Sequence, residues 1–172
     1  MDFMTLERER YSCRSFSPEK VEQEKLEKIL QAGFYAPTAV NYQPQRVLVL
    51  RSEEAIEKLR KCTPCHYNCS TALIISYDKT VSFKRGFDGK DSGDIDASIV
   101  TTHMMLQAYE LGVCSTWLLF FKPEQIKEEF NLPENYEPSA ILVLGYPAED
   151  AQVNEQHYKC APAEALVKYD TY

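Results

Sequence analysis

The stretch Arg10-Tyr11-Ser12-Cys13-Arg14 carries the first side chains with evident chemistry. Alternate residues of an extended segment point the same way. Arg10, Ser12 and Arg14 then form a short polar comb. Two guanidinium groups and a hydroxyl suit a phosphate and a carbonyl-rich ring, because each guanidinium offers a fixed fork of N–H donors. Two arginines near a chain start are usually just solvated surface, and so short a motif does not decide alone. The second stretch is Ala36-Pro37-Thr38-Ala39-Val40-Asn41-Tyr42-Gln43-Pro44. Pro37 and Pro44 stiffen it, while Asn41 and Gln43 offer amides that both donate and accept. Such amides suit a heterocycle edge alternating N–H and C=O; the plainer reading is a helix-to-strand turn.

A third cluster is Cys62-Thr63-Pro64-Cys65-His66-Tyr67-Asn68-Cys69. Cys62-x-x-Cys65-His66 matches the pattern of covalent c-type haem attachment, a chemistry that requires export. Four soft ligands in one loop also suit zinc or iron, but a short loop seldom closes a tetrahedral site alone. The expectation is a set of reduced, partly buried thiols and no metal. A reversible Cys62–Cys65 pair is the intermediate case, and a protein sensing redox state or metal through Cys62, Cys65 and Cys69 is the alternative function. His103 reads as an interior or interface histidine, and Asp94 and Asp96 as helix-start charges favoured by the dipole.

Net charge is −7. That balance argues against nucleic acid and anionic membrane, both of which need a basic footprint. An anionic small ligand then requires a local cationic cluster, and the Arg10–Arg14 comb is one. The longest apolar runs, 117–121 and 140–144, fall far short of the roughly 20 residues of a membrane span. The N-terminus is charged and lacks a signal-peptide core. The protein is therefore expected in the cytoplasm, with its six cysteines mostly reduced.

The elements that must position these residues are legible in outline. Residues 2–9 read as a short helix and 10–16 as a loop. Helical periodicity runs through Leu26, Ile29, Leu30, Gly33 and Phe34, with Ser17 as N-cap and Pro18 at the first helical position. Residues 46–50 read as a buried strand, 52–61 as a helix capped by Ser52, and 72–77 as a second strand. Residues 84–93 read as a mobile surface loop. The longest helix spans 94–111 and is apolar on more than one face, which marks burial in a core or an oligomer interface; Gly112 ends it. A third strand at 113–121, a helix at 123–130 and a fourth strand at 139–145 follow. The polar tail 148–172 docks on its own domain or reaches a partner. Short strands between helices, without a regular βαβ beat, indicate an α+β fold in a single domain over 1–172.

In order along the chain, these motifs resemble the nitroreductase family. Arg10-x-Ser12-x-Arg14-x-Phe16 and Ala36-Pro37-Thr38-x-x-Asn41-x-Gln43-Pro44 look like its opening. Asp94-x-Asp96-Ala97, Leu111-Gly112, Ser115-x-Trp117, Leu132-Pro133, Gly145-Tyr146-Pro147 and Pro162-x-Glu164 follow in the same order. The resemblance implies an α+β homodimer with a central mixed or antiparallel sheet, exchanged C-terminal segments, and FMN at the dimer interface. It implies an oxidoreductase that passes hydride from NADH or NADPH, via flavin N5, to a small electrophile such as a nitroaromatic or quinone; dehalogenation or enoyl reduction is a narrower variant. By resemblance, Arg10 and Ser12 hold the phosphate and ribityl end. Arg14 faces the N1–C2 side, where a fixed cation stabilises the charge of reduction. Asn41 meets the pyrimidine edge from the partner's side, and backbone amides at Leu119 and Phe120 approach N5. The implied set also takes in Tyr11, Pro37, Thr38, Gln43 and Lys159, with no acid–base residue required. Three positions depart from the family. The bulky Leu119-Phe120 run replaces a small residue. Cys160 stands where an arginine is usual, with Lys159 or His157 as substitute. Gln45 stands where Trp is preferred.

Overall fold

The computed structural model describes residues 2–172. The strands are β1 (Gln45–Leu50), β2 (Thr71–Asp78), β3 (Cys114–Leu118) and β4 (Tyr136–Gly145). They form one sheet in the order β1-β2-β4-β3, with every neighbouring pair antiparallel. Central β2 is buried along its whole length, and its alternation sends side chains to two separate cores. Ala72 and Ile74 join one; Leu73 and Ile75 join the other. β4 divides likewise, Ile141 and Val143 against Leu142 and Leu144. Strands buried on both faces read as continuous apolar runs, which is why Ala-Leu-Ile-Ile was conspicuous in the sequence. A bulge between Ile75 and Ser76 lets Ser76 pair with Pro138 rather than Ser139, accommodating a proline that lacks a donor.

Helices cover both faces. On the first lie α3 (Glu53–Cys62) and α5 (Pro123–Phe130), through Ile56, Leu59 and Ile126. On the second lie α2 (Gln23–Phe34) and α4 (Gly93–Glu110), through Leu26, Ile29, Val100 and Met104. Each such fully buried side chain contributes about 1.5–3 kcal/mol. The short α1 (Phe3–Glu9) is capped by Asp2, whose carboxylate accepts from the Thr5 N–H at 3.2 Å. Ser52 caps α3 by accepting from the Ala55 N–H at 3.1 Å. Gly112 follows α4 at φ +74°, a conformation glycine adopts freely. Among the described residues no helix is long and apolar enough to cross a membrane.

Several boundaries differ from the expectations. The second helix begins at Gln23, with Glu22 at its N-cap; Ser17 and Pro18 lie outside it. Phe16 forms a bridge with Pro147, and the Ser17 N–H donates to the Tyr146 carbonyl at 2.9 Å. Tertiary pairing holds that stretch extended against its local capping signal. β1 is an edge strand rather than a buried one, with Leu48 37 % exposed. The third strand stops at Leu118 instead of running to Phe121. Residues 84–91 are a closed turn, with Lys84 bridged to Asp91, Arg85 paired with Asp88, and the Arg85 N–H bonded to the Lys90 carbonyl at 3.0 Å; Gly93 already belongs to α4. Beyond the named strands, Ser12 pairs in parallel with Ser115. The tail contains a 3₁₀ turn (Glu155–Tyr158) and a single helical turn, α6 (Ala163–Leu166).

Candidate active site

The bridge between Ser12 and Ser115 sets the geometry. The Cys13 N–H donates to the Ser115 carbonyl at 3.1 Å, and the Thr116 hydroxyl donates to the Cys13 carbonyl. The comb therefore runs alongside β3 in the same direction. Arg10 lies toward the start of β3, and Arg14 toward its end, where Leu119 and Phe120 follow. Arg10, Tyr11, Ser12 and Arg14 line a polar recess of about 300 Å³, closed on the other side by Asn154, Gln156 and His157 of the tail. Among the described residues neither Arg10 nor Arg14 is ion-paired. The Arg14 guanidinium donates only to the Ser12 carbonyl of its own segment, at a long 3.5 Å. In a chain of net charge −7, two guanidinium groups left without carboxylates in one recess are suited to an anion from outside.

The tail reaches this recess by bonds within the same protomer. The Ala148 N–H donates to the Ser15 carbonyl at 3.1 Å, and the Ser15 hydroxyl donates to Asp150 at 2.9 Å. The His157 Nε2–H donates to the Arg8 carbonyl at 3.0 Å. Lys159 and Cys160 lie beyond, both exposed and outside the recess. Asn154 and Gln156 carry no motif, and their place is visible only in three dimensions.

Beneath the comb is a layer of thiols and phenol. The Cys114 thiol donates to the Tyr11 hydroxyl at 3.6 Å. Burial, then that hydrogen bond, push the Tyr11 phenol up. Cys13 and Cys114 are free thiols; their mutual interaction, with burial, pushes Cys13 up, and the same interaction pulls Cys114 down. These groups pack the comb against the first core.

At the far end of β3, Leu119 and Phe120 are 71 % and 72 % exposed. Among the described residues, neither of their backbone N–H groups donates a hydrogen bond. The segment turns sharply, the Phe121 N–H donating to the Leu119 carbonyl at 3.1 Å. Two free main-chain donors therefore follow the end of β3, in the direction in which the comb runs from Arg10 to Arg14.

The amide stretch lies elsewhere in the protomer. Residues 36–44 form a 3₁₀ turn (Ala39–Asn41) held by Asp96. Asp96 is buried in the first turn of α4. Its Oδ1 accepts from the Ala39 N–H at 2.8 Å, and its Oδ2 accepts from the Ser92 hydroxyl at 2.8 Å. Asp96 is thus a buried anchor for this loop rather than a simple helix-start charge. Val40, Asn41 and Gln43 have φ of 54°, 55° and 51°. A β-branched residue there is strained, and such strain persists only where surrounding structure imposes it. Pro37, Asn41 and Gln43 are exposed, Thr38 half-buried, and none of the four lines the comb recess. Within this chain the amide loop does not contribute to the comb recess.

The cysteine cluster is mostly interior. Cys62 and Cys69 are buried in the first core, with Cys65 packed against it. Burial pushes the Cys62 thiol up to about 11 and the Cys69 thiol to about 12. Thiols held protonated in this way are poor nucleophiles and poor ligands. Among the described residues no three His, Cys, Asp or Glu side chains converge as a metal site.

A four-stranded antiparallel sheet with helices on both faces, carrying this recess along its β3 edge, defines a nitroreductase-like α+β fold. The nitroreductase family's sequence model matches residues 8–64 and 68–146. The chain belongs to that family. It is similar to a nitroreductase family protein from Clostridium difficile 630, at 46 % identity and TM-score 0.94, covering 100 % of both chains. It is also similar to an FMN-dependent nitroreductase from Clostridium difficile R20291, at 25 % identity and TM-score 0.79, covering 99 % of this chain and 100 % of that one. A Bacillus subtilis (strain 168) protein named FMN reductase (NAD(P)H) is 25 % identical over 94 % of this chain and 70 % of its own length.

Proposed function

We propose that this nitroreductase-family chain is an FMN-dependent NAD(P)H oxidoreductase that reduces a small electrophile, such as a nitroaromatic or quinone, as a homodimer. One observation carries the reading: two guanidinium groups without carboxylate partners run alongside β3, and two free backbone donors follow the strand's end. That donor set matches a molecule with a phosphate at one end and a carbonyl-bearing heterocycle at the other. The similar proteins named FMN-dependent nitroreductase and FMN reductase support the same cofactor.

In this reading, Arg10, Ser12 and Tyr11 hold the phosphate end, with Lys159 adding a cation from the tail and His157 already nearby. Arg14 faces the part of the ring that gains negative charge, and a fixed cation there lowers the barrier without reorganising. The Leu119 and Phe120 amides donate to the ring's central edge. Pro37, Thr38, Asn41 and Gln43 of a second protomer complete the pyrimidine side, which explains why a strained, exposed amide loop is built away from its own comb. FMN, when bound, supplies the hydride chemistry that no side chain here provides. The bulky Leu119-Phe120 pair narrows the space above the ring. The chain acts as one domain over 1–172, whose tail reaches the partner; Leu166, Val167, Tyr169 and Tyr172, all exposed, provide the apolar surface for that contact.

The test is a visible absorption spectrum of the purified protein before and after FMN addition and desalting. Retained flavin bands that bleach anaerobically with NADH or NADPH are expected, and the effective nucleotide identifies the donor. A protein that retains no flavin after loading would overturn the reading.

A further inference from the structure

Thr63 follows α3 directly, inside the cysteine-bearing loop, and it is 1 % exposed. A buried hydroxyl is costly unless bonded, and this one is bonded twice. It donates to the Phe120 carbonyl at 2.6 Å and accepts from the Cys65 N–H at 3.1 Å. One residue earlier, the Cys62 carbonyl accepts from the Lys122 N–H at 3.0 Å. Two hydrogen bonds thus clamp the segment around Phe120 to the end of α3, immediately after the β ladder has stopped at Leu118. The same loop touches the comb. The Tyr67 carbonyl accepts from the Phe16 N–H at 3.2 Å, two residues past Arg14. Tyr67 and Asn68 have φ of 49° and 58°, so the loop is bent to make these contacts.

We infer that Thr63 is a positioning residue for the flavin site: its bond to the Phe120 carbonyl holds the turn that presents the Leu119 and Phe120 N–H groups. This inference rests on the reading of the recess as an FMN site. It gives the 62–69 loop a part that does not depend on thiol chemistry. The exposed Leu119 and Phe120 side chains have little packing to order them, so the clamp sets the direction of their main-chain donors.

Thr63→Val keeps the shape and removes the hydroxyl; Thr63→Ser keeps the hydroxyl. Amide hydrogen exchange of Phe121 and Lys122, the two bonded N–H groups of this turn, in the flavin-free protein and FMN affinity by fluorescence titration are the readouts. The limiting rate of anaerobic reduction by NAD(P)H is measured alongside them. Thr63→Val is expected to speed exchange and to weaken FMN binding, each by about tenfold, the loss of one buried hydrogen bond. It should also slow reduction without changing the apparent affinity for the nucleotide. Thr63→Ser should restore all three. If Thr63→Val disturbs the fold by near-ultraviolet circular dichroism, Lys122→Pro removes the other clamp bond from an exposed position and should reproduce the faster exchange at Phe121 and the weaker binding. Wild-type levels in Thr63→Val, or equal losses in Thr63→Ser, would overturn the role of Thr63 while leaving the FMN site intact. Wild-type protein that binds no FMN would overturn the parent reading and this inference with it.

Discussion

Arg10 and Arg14 sit four residues apart in one recess, yet they face different parts of the proposed ligand, so their loss should separate. Arg10→Ala is expected mainly to lower retained FMN after desalting. Arg14→Ala should weaken binding less and slow anaerobic reduction more, because a cation beside developing charge acts on the barrier as well as the bound state. Flavin content and stopped-flow reduction of the two variants check this; full content and rate in both would sink the assignment. The comb was legible because alternation along an extended segment is a local property. Thr63, Tyr67, Asn154 and Gln156 were not, since each reaches the site only through tertiary contact. Asp78 makes a second prediction at this scale. The Thr80 hydroxyl, then the Asn135 amide, Thr80 N–H and Arg46, hold its carboxyl below the ordinary range against burial. A lowered folded-state value means its stabilisation is complete above the unfolded value of about 3.9 and is lost as pH falls through the folded one. Asp78→Asn should therefore be less stable than wild type at neutral pH, and the gap in urea midpoints should close in acid.

Among the elements, α4 carries the most consequence, since it packs on α2 and the sheet and also anchors the amide loop through Asp96. Its first residue is the tightest point. A Cβ on Gly93 would lie 2.0 Å from the Tyr77 ring, so Gly93→Ala must displace the ring or the helix start. The expected cost is about 1–3 kcal/mol, the usual range for overpacking, read as a drop in denaturant midpoint. Strained loop geometry should make flavin affinity fall in the same variant. Element existence was readable throughout, because burial on two sheet faces writes apolar runs and one-sided helices write periodicity. The ends were less so. Ser17-Pro18 is a sound capping signal, but Phe16 and Ser17 are engaged by Tyr146 and Pro147, more than a hundred positions later. Leu118 to Phe121 is uniformly apolar, and only the turn into α5, clamped to the end of α3, shows where the ladder stops.

For the whole molecule, the separation of comb and amide loop within the chain is the decisive property. If a second chain completes the site, cutting the chain after residue 160 should convert dimer to monomer by light scattering and lose FMN together, because the removed residues carry the exposed Leu166, Val167 and Tyr169. A monomer that still binds FMN tightly would show that one protomer suffices. The registration of Cys13 against Thr116, across 103 positions of sequence, also has a kinetic consequence. Closing so long a loop carries an entropic cost before any contact rewards it, so the recess is expected to assemble late, after helices and central strands are in place. Refolding followed by quenching of added FMN should then trail the far-ultraviolet circular dichroism signal, and a chain still emerging from the ribosome would carry its comb without a partner strand until synthesis has passed β3.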